Sequence, residues 1–159
     1  MMKISNTFLK NLAVVVLMLL TAAGAARALP LDKYSINRND LPEAAREMLD
    51  EHFPKAKVSM VKTDKHLLKK TDYDVKLTDG TKIEFNNKGA WTSVDCGKKA
   101  LPESLLKKPM LRHLSKNHPD AKVVAIRKST LAYELRLDTG HLLKFTLIGT
   151  HSSTTPPAE

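Results

Sequence analysis

The chain has 159 residues, a formal net charge of +9 at pH 7 and 42% hydrophobic residues, an ordinary globular composition that excludes a low-complexity or linker-dominated protein. A single cysteine, Cys96, excludes an internal disulfide, so stability must come from packing. The positive charge invites a nucleic-acid partner, but Lys62, Lys65, Lys69 and Lys70 flank one predicted hairpin and Lys98, Lys99, Lys107 and Lys108 flank a predicted helix. They form no arginine-rich stripe with interleaved aromatics, which argues against nucleic acid.

Residues 1–28 read as an export signal. Lys3 and Lys10 give the positive n-region, Leu12 to Leu20 the apolar run, and Ala26-Arg27-Ala28 a cleavage site, with Ala23-Gly24-Ala25 as the alternative. A bilayer span needs roughly 20 apolar residues, so the run is too short for a permanent anchor and no stable membrane insertion is expected after cleavage. No cysteine follows the run to take a lipid. The expectation is a periplasmic or secreted protein whose mature part, residues 29–150, forms one domain. The tail 151–159 (His-Ser-Ser-Thr-Thr-Pro-Pro-Ala-Glu) has little to bury and is expected to be disordered.

In residues 36–96, Asn39 or Asp40 caps a predicted helix with Pro42 in its first turn, where a missing N–H costs nothing. Leu41, Ala45, Met48, Leu49 and Phe53 form its apolar stripe, and Pro54 ends it. Four strands follow: Val58 to Thr63, Tyr73 to Leu77, Lys82 to Phe85 and Trp91 to Cys96. Tyr73, Val75 and Leu77 alternate with Asp74 and Lys76, and Asp79-Gly80 marks a tight hairpin.

Residues 97–150 repeat this order. Leu41-Pro42-Glu43 recurs as Leu101-Pro102-Glu103, and Tyr73, Leu77, Gly80, Phe85 and Gly89 recur as Tyr133, Leu137, Gly140, Phe145 and Gly149. Pro109 divides the second helical segment into Pro102 to Lys107 and Pro109 to Lys116. After Gly149 little remains for a last strand, so that edge is expected to be short or frayed. The fold expected is α+β: two tandem repeats, each a helix (a helix pair in the second) on its own four-stranded antiparallel sheet. Each sheet roofs its apolar face with helix and leaves a charged face open.

The order Leu-Pro, amphipathic helix, Phe-Pro-x-Ala-x-Val, Tyr-x-Val-x-Leu-x-Asp-Gly, Ile-x-Phe, Gly-x-Trp and again Leu-Pro resembles the PepSY-like family of Bacteroidetes-type exported proteins, described as β-lactamase-inhibitor-like. The match runs from about Ile36 to Thr150, although the second copy lacks the Gly-x-Trp step at Gly149. The resemblance implies a β-lactamase-inhibitory-protein-like fold, a non-enzymatic protein, and a concave sheet surface that grips its target.

The open faces supply the candidate ligand-binding residues Lys76, Glu84, Glu134, Arg136 and Lys144. Trp91 joins them if strand period holds, since Ser93 and Asp95 share its parity; a shifted register after the turn would instead bury it under the helix. The expected partner is a protein or peptide of the cell envelope, with a hydrolase as the target the resemblance suggests. An anionic glycan or lipid surface is the alternative. No cofactor is expected. The histidines lack the i, i+4 spacing of a helical metal site, so no metal is expected either. Asp138-Thr139-Gly140 resembles the aspartic-protease triplet, but Asp79-Gly80 occupies the same turn in the other copy and turn chemistry explains both. Cys96 reads as a half-buried strand residue, with an intermolecular bridge or reactive thiol as alternatives.

Overall fold

Alternation dictates the sheet. Tyr73, Val75 and Leu77 face one side of their strand, and the register sets Tyr73 opposite Phe85 and Val75 opposite Ile83, so one face is continuously apolar. The computed structural model describes residues 32–64 and 72–157. The proposed signal (residues 1–28), together with Lys65, Lys69 and Lys70, lies outside the described residues.

The strands are β1 (Lys33–Ser35), β2 (Val58–Asp64), β3 (Asp72–Leu77), β4 (Lys82–Phe85), β5 (Trp91–Asp95), β6 (Val123–Lys128), β7 (Ala132–Leu137), β8 (Leu142–Thr146) and β9 (His151–Thr155). All nine join in one antiparallel sheet whose strand order is the chain order. The expectation of two four-stranded sheets is therefore corrected. Ser93 pairs with Arg127, Val94 with Ile126 and Asp95 with Ala125, which fuses the halves. Val94 and Ile126 are both almost fully buried; two separate sheets would expose an edge at each of them.

Two further differences lie at the sheet's margins. Lys33–Ser35 adds a strand along β2, and His151–Thr155 pairs with β8, where disorder was expected. The Ser/Thr run of β9 buries little side chain, but its backbone has a partner strand, and β-branched Thr154 and Thr155 suit the extended conformation.

The halves match in detail. Tyr133–Phe145 and Leu135–Leu143 reproduce the pairings of Tyr73–Phe85 and Val75–Ile83. Register shifts recur in corresponding places, between Val58 and Met60 and between Val123 and Ala125, and between Glu84 and Phe85 and between Lys144 and Phe145.

Helix α1 (Glu43–His52) turns Ala45, Met48 and Leu49 inward, and α2 (Lys108–Asn117) turns Met110 and Leu114 inward. Each ends with a backbone N–H bonded four residues back, Phe53 to Leu49 and His118 to Leu114, just before a proline. Pro109 sits in the first turn of α2, where it is tolerated, and the preceding segment is a 3-10 turn, Glu103–Leu105. Both helices cover the same face of the sheet and share one core with Leu77, Phe85, Leu137 and Phe145.

Gly89 and Gly149 fix how each helix sits. Both have positive φ, +80° and +92°, and both press on a helix start. A Cβ on Gly89 would lie 2.9 Å from the Ala45 nitrogen and from Pro42 Cβ; one on Gly149 would lie 3.3 Å from Lys107 Cβ. The β4–β5 and β8–β9 turns thus pack against the starts of α1 and α2 in equivalent ways.

Candidate functional site

The helices leave the other face uncovered, and register arranges its side chains in two rows. One row runs Lys62, Asp74, Glu84, Ser93, Arg127, Glu134 and Lys144 from β2 to β8. The other runs Met60, Lys76, Lys82, Asp95, Ala125 and Arg136 from β2 to β7. None of these side chains is fully buried.

Lys76, Glu84, Glu134, Arg136 and Lys144 stand on this face. Trp91 does not, which corrects its placement among the face residues. The register slip after Glu84 sets Trp91 opposite the inward-facing Phe85. The extra residue, Thr92, has no partner in the ladder, which defines a β-bulge, and its hydroxyl donates to the Glu84 carbonyl at 3.3 Å. Trp91 packs against the core on the helical side with its ring centroid 6.3 Å from that of Tyr133. Asp95 and Arg127 belong to the face as well, and alternation along β5 and β6 could have marked them.

The two halves of the face differ electrostatically. In the second, Glu134 faces Lys144 with 3.7 Å between charged atoms, and Arg136 lies 2.8 Å from Asp95. In the first, Asp74 stands directly opposite Glu84 and Lys76 directly opposite Lys82. None of these four makes an ion pair among the described residues. Burial, with Asp64 and Glu84 adding repulsion, raises the Asp74 pKa above the usual carboxylate range. At the sheet margin Lys62 bonds Asp64 and Asp32, at 2.8 and 3.2 Å, and both hold its ammonium charged.

Each half has a shallow depression. One, about 240 Å³, is bordered by Met60, Asp74, Lys76, Lys82 and Glu84. The other, about 290 Å³, is bordered by Ser93, Asp95, Ala125, Arg127, Glu134 and Arg136. Opposite charges a few ångströms apart, on rigid strands and beside a hollow, suit side chains of a polar polypeptide.

The residues considered for other chemistry have local duties. Asp79 accepts the Thr81 N–H at 2.9 Å and pairs with Lys99, and Asp138 accepts the Lys122 N–H at 3.0 Å. Burial opposes ionisation of Asp79, but the hydrogen bonds from Lys99 and Thr81 outweigh it and lower its pKa. Cys96 is buried, and burial pushes its thiol pKa up, away from the reactive thiolate. His113 stacks on His151 with centroids 4.0 Å apart, while His118 lies 6.1 Å from His113 and 5.9 Å from His141. Among the described residues no group of three or more His, Cys, Asp or Glu could hold a metal ion.

A family model described as "Putative beta-lactamase-inhibitor-like, PepSY-like" matches residues 30–70 and 71–151. A Bacteroides vulgatus protein described as a periplasmic protein of unknown function shares 36% identity over 78% of this chain and 98% of its own, with a TM-score of 0.74. A second B. vulgatus periplasmic protein shares 33% identity over 82% of this chain and 99% of its own, with a TM-score of 0.72. A Bacteroides thetaiotaomicron periplasmic protein, described as calcium-regulated, shares 31% identity over 78% of this chain and 96% of its own, with a TM-score of 0.73. No curated protein matches. Among the described residues no helix is long and apolar enough to cross a membrane.

Proposed function

The chain belongs to the PepSY-like, β-lactamase-inhibitor-like family, and on that premise we propose that it is a non-enzymatic module that binds a protein or peptide on the uncovered face of its sheet. The protein is periplasmic or secreted, as its structural neighbours are periplasmic, so the partner is a polypeptide of the cell envelope. Inhibition of an envelope or secreted hydrolase is the specific form this takes.

One observation carries the reading: the like-charged pairs Asp74–Glu84 and Lys76–Lys82, side by side on neighbouring strands. Like charges directly opposite destabilise a sheet. The second repeat, built on the same register, sets Glu134 against Lys144 and Arg136 against Leu142 instead. The backbone therefore does not require the arrangement. A partner that brings cations to the acidic pair and carboxylates to the lysine pair relieves both repulsions, with Arg136 and Lys144 extending the contact.

The test is Lys76→Glu, which replaces a repulsive cross-strand pair by an attractive one and has only the uncharged Met60 on its other side. The variant should melt higher, by about 0.2–1 kcal/mol of added stability, yet recover less partner when envelope proteins are captured on the unit Leu31–Glu159. Undiminished recovery of the same partners by Lys76→Glu and by Arg136→Ala would refute binding at this face.

A further inference from the structure

The duplication provides an internal control that isolates a second surface. The turns after β4 and β8 share their geometry: Gly89 N–H bonds the Asn86 carbonyl at 2.9 Å, and Gly149 N–H bonds the Thr146 carbonyl at 2.9 Å. Both glycines have positive φ and both turns press on a helix start. The tips, however, are Asn87-Lys88 in the first copy and Leu147-Ile148 in the second. Polar residues are the norm at such turns, and the first copy shows that this turn folds with them. The fold therefore does not call for Leu147 and Ile148, which are 40% and 75% exposed.

A third apolar residue joins them. Ala132 pairs with Thr146 at the end of the β7–β8 ladder, so Leu131, one step beyond and 81% exposed, emerges at the same end of the sheet. Cations border this end. The Lys107 ammonium donates to the Leu147 carbonyl and lies 5.4 Å from the Tyr133 ring centroid. The Lys128 ammonium lies 6.0 Å from the ring centroids of both Trp91 and Tyr133. No acidic residue occurs in either turn, 129–131 or 147–150.

We propose that these adjoining hairpin tips form a membrane-surface contact: Leu131, Leu147 and Ile148 enter the headgroup–acyl boundary of a bilayer while Lys107 and Lys128 meet anionic phospholipid headgroups. Apolar side chains on protruding turns, ringed by ammonium groups, match the layered chemistry of an anionic bilayer, apolar beneath and negative above. A protein–protein contact would favour aromatic residues, methionine and arginine over the lysines found here. The contact is peripheral and lies apart from the sheet face. It holds the protein at the envelope surface and leaves the two charged rows available.

The experiment uses unilamellar phosphatidylcholine vesicles with and without phosphatidylglycerol, and the unit Leu31–Glu159. Sedimentation should show binding to the anionic vesicles only, weakened by added salt. Leu147→Asn/Ile148→Lys, which installs the first copy's turn, should retain the melting temperature and lose about tenfold or more of vesicle affinity. The double variant adds a positive charge, so purely electrostatic adsorption predicts undiminished binding and would overturn the proposal. Absence of vesicle binding by the parent protein would overturn it too. So would a parent dimer that the double variant converts to monomer without any change in vesicle binding, because a second copy would then be the occupant of the patch.

Discussion

Arg136 reaches Asp95 by passing over Ala125: its guanidinium lies 2.8 Å from the carboxylate, while Ala125 pairs with both residues on the strand between them. The small side chain makes the crossing possible, and Met60 fills the corresponding place in the first repeat. The contact ties β7 to β5 and therefore one repeat to the other.

Both partners of this ion pair are about two-fifths exposed, so its direct worth is small. A double-mutant cycle with Asp95→Asn and Arg136→Ala should give a coupling of about 0.2–1 kcal/mol that fades at high salt. A coupling of several kcal/mol in denaturant titrations would contradict the geometry described.

Fusion of the repeats rests on the buried seam. Ile126→Ala removes a side chain that is 1% exposed opposite Val94, and should cost about 2–4 kcal/mol. Because one core runs through both halves, urea unfolding should remain a single transition, with fluorescence of Trp91 and far-UV dichroism coinciding. Two separated transitions would show that the halves fold independently.

The glycines differ in what surrounds them. Gly80 has φ +89° with no atom within 4 Å of a notional Cβ, whereas Gly89 has backbone and side-chain atoms at 2.9 Å. Gly80→Ala should therefore cost about 1 kcal/mol from conformation alone. Gly89→Ala should cost roughly 3 kcal/mol, because conformation and the clash with the start of α1 add. Thermal melts of the two variants check the order.

Histidine contributes a pH dependence. Burial, then the neighbouring His151 and His118, lowers the His113 pKa below its ordinary 6.5; Phe145 and Asn117 are its other neighbours. The folded state then binds fewer protons than the unfolded chain just below that value. The stabilisation is full above the unfolded pKa and is lost as pH falls through it toward the folded one. The melting temperature should drop as pH falls through the ordinary histidine value of about 6.5 and below it, with a shallower slope in His113→Gln. An unchanged slope in the variant would assign the dependence elsewhere.

How much of this was legible beforehand follows from the range of the interactions. The helix carrying Ala45, Met48 and Leu49 and the hairpin at Asp79-Gly80 are encoded over a few residues, and period and turn chemistry reveal them. The inner and outer residues of β3, β4, β7 and β8 follow from alternation, so five of the six candidate contact residues lie on the open face. The sequence leaves Trp91 two placements, and its pairing with Phe85 across a bulge that advances the register by one residue selects the inward one. The β5–β6 junction depends on strands separated by residues 96–122, beyond the reach of local pattern. Nothing local marks β1, and β9 reads only as a short or frayed edge, because edge strands form through backbone pairing with little burial. The charge pattern that carries the proposed function was present as residues but not as neighbours: Lys76 and Lys82 become a repulsive pair only once the hairpin register is known.

The coincidence of strand order with chain order bears on how such a protein is made. A polypeptide that crosses a membrane from its N-terminus delivers each segment of this sheet directly after one it must bond to, so each strand waits only for the next one in the chain. Assembly can keep pace with delivery, each new strand covering the edge left by the last, and the interval in which an unpaired apolar edge lies open to aggregation is short.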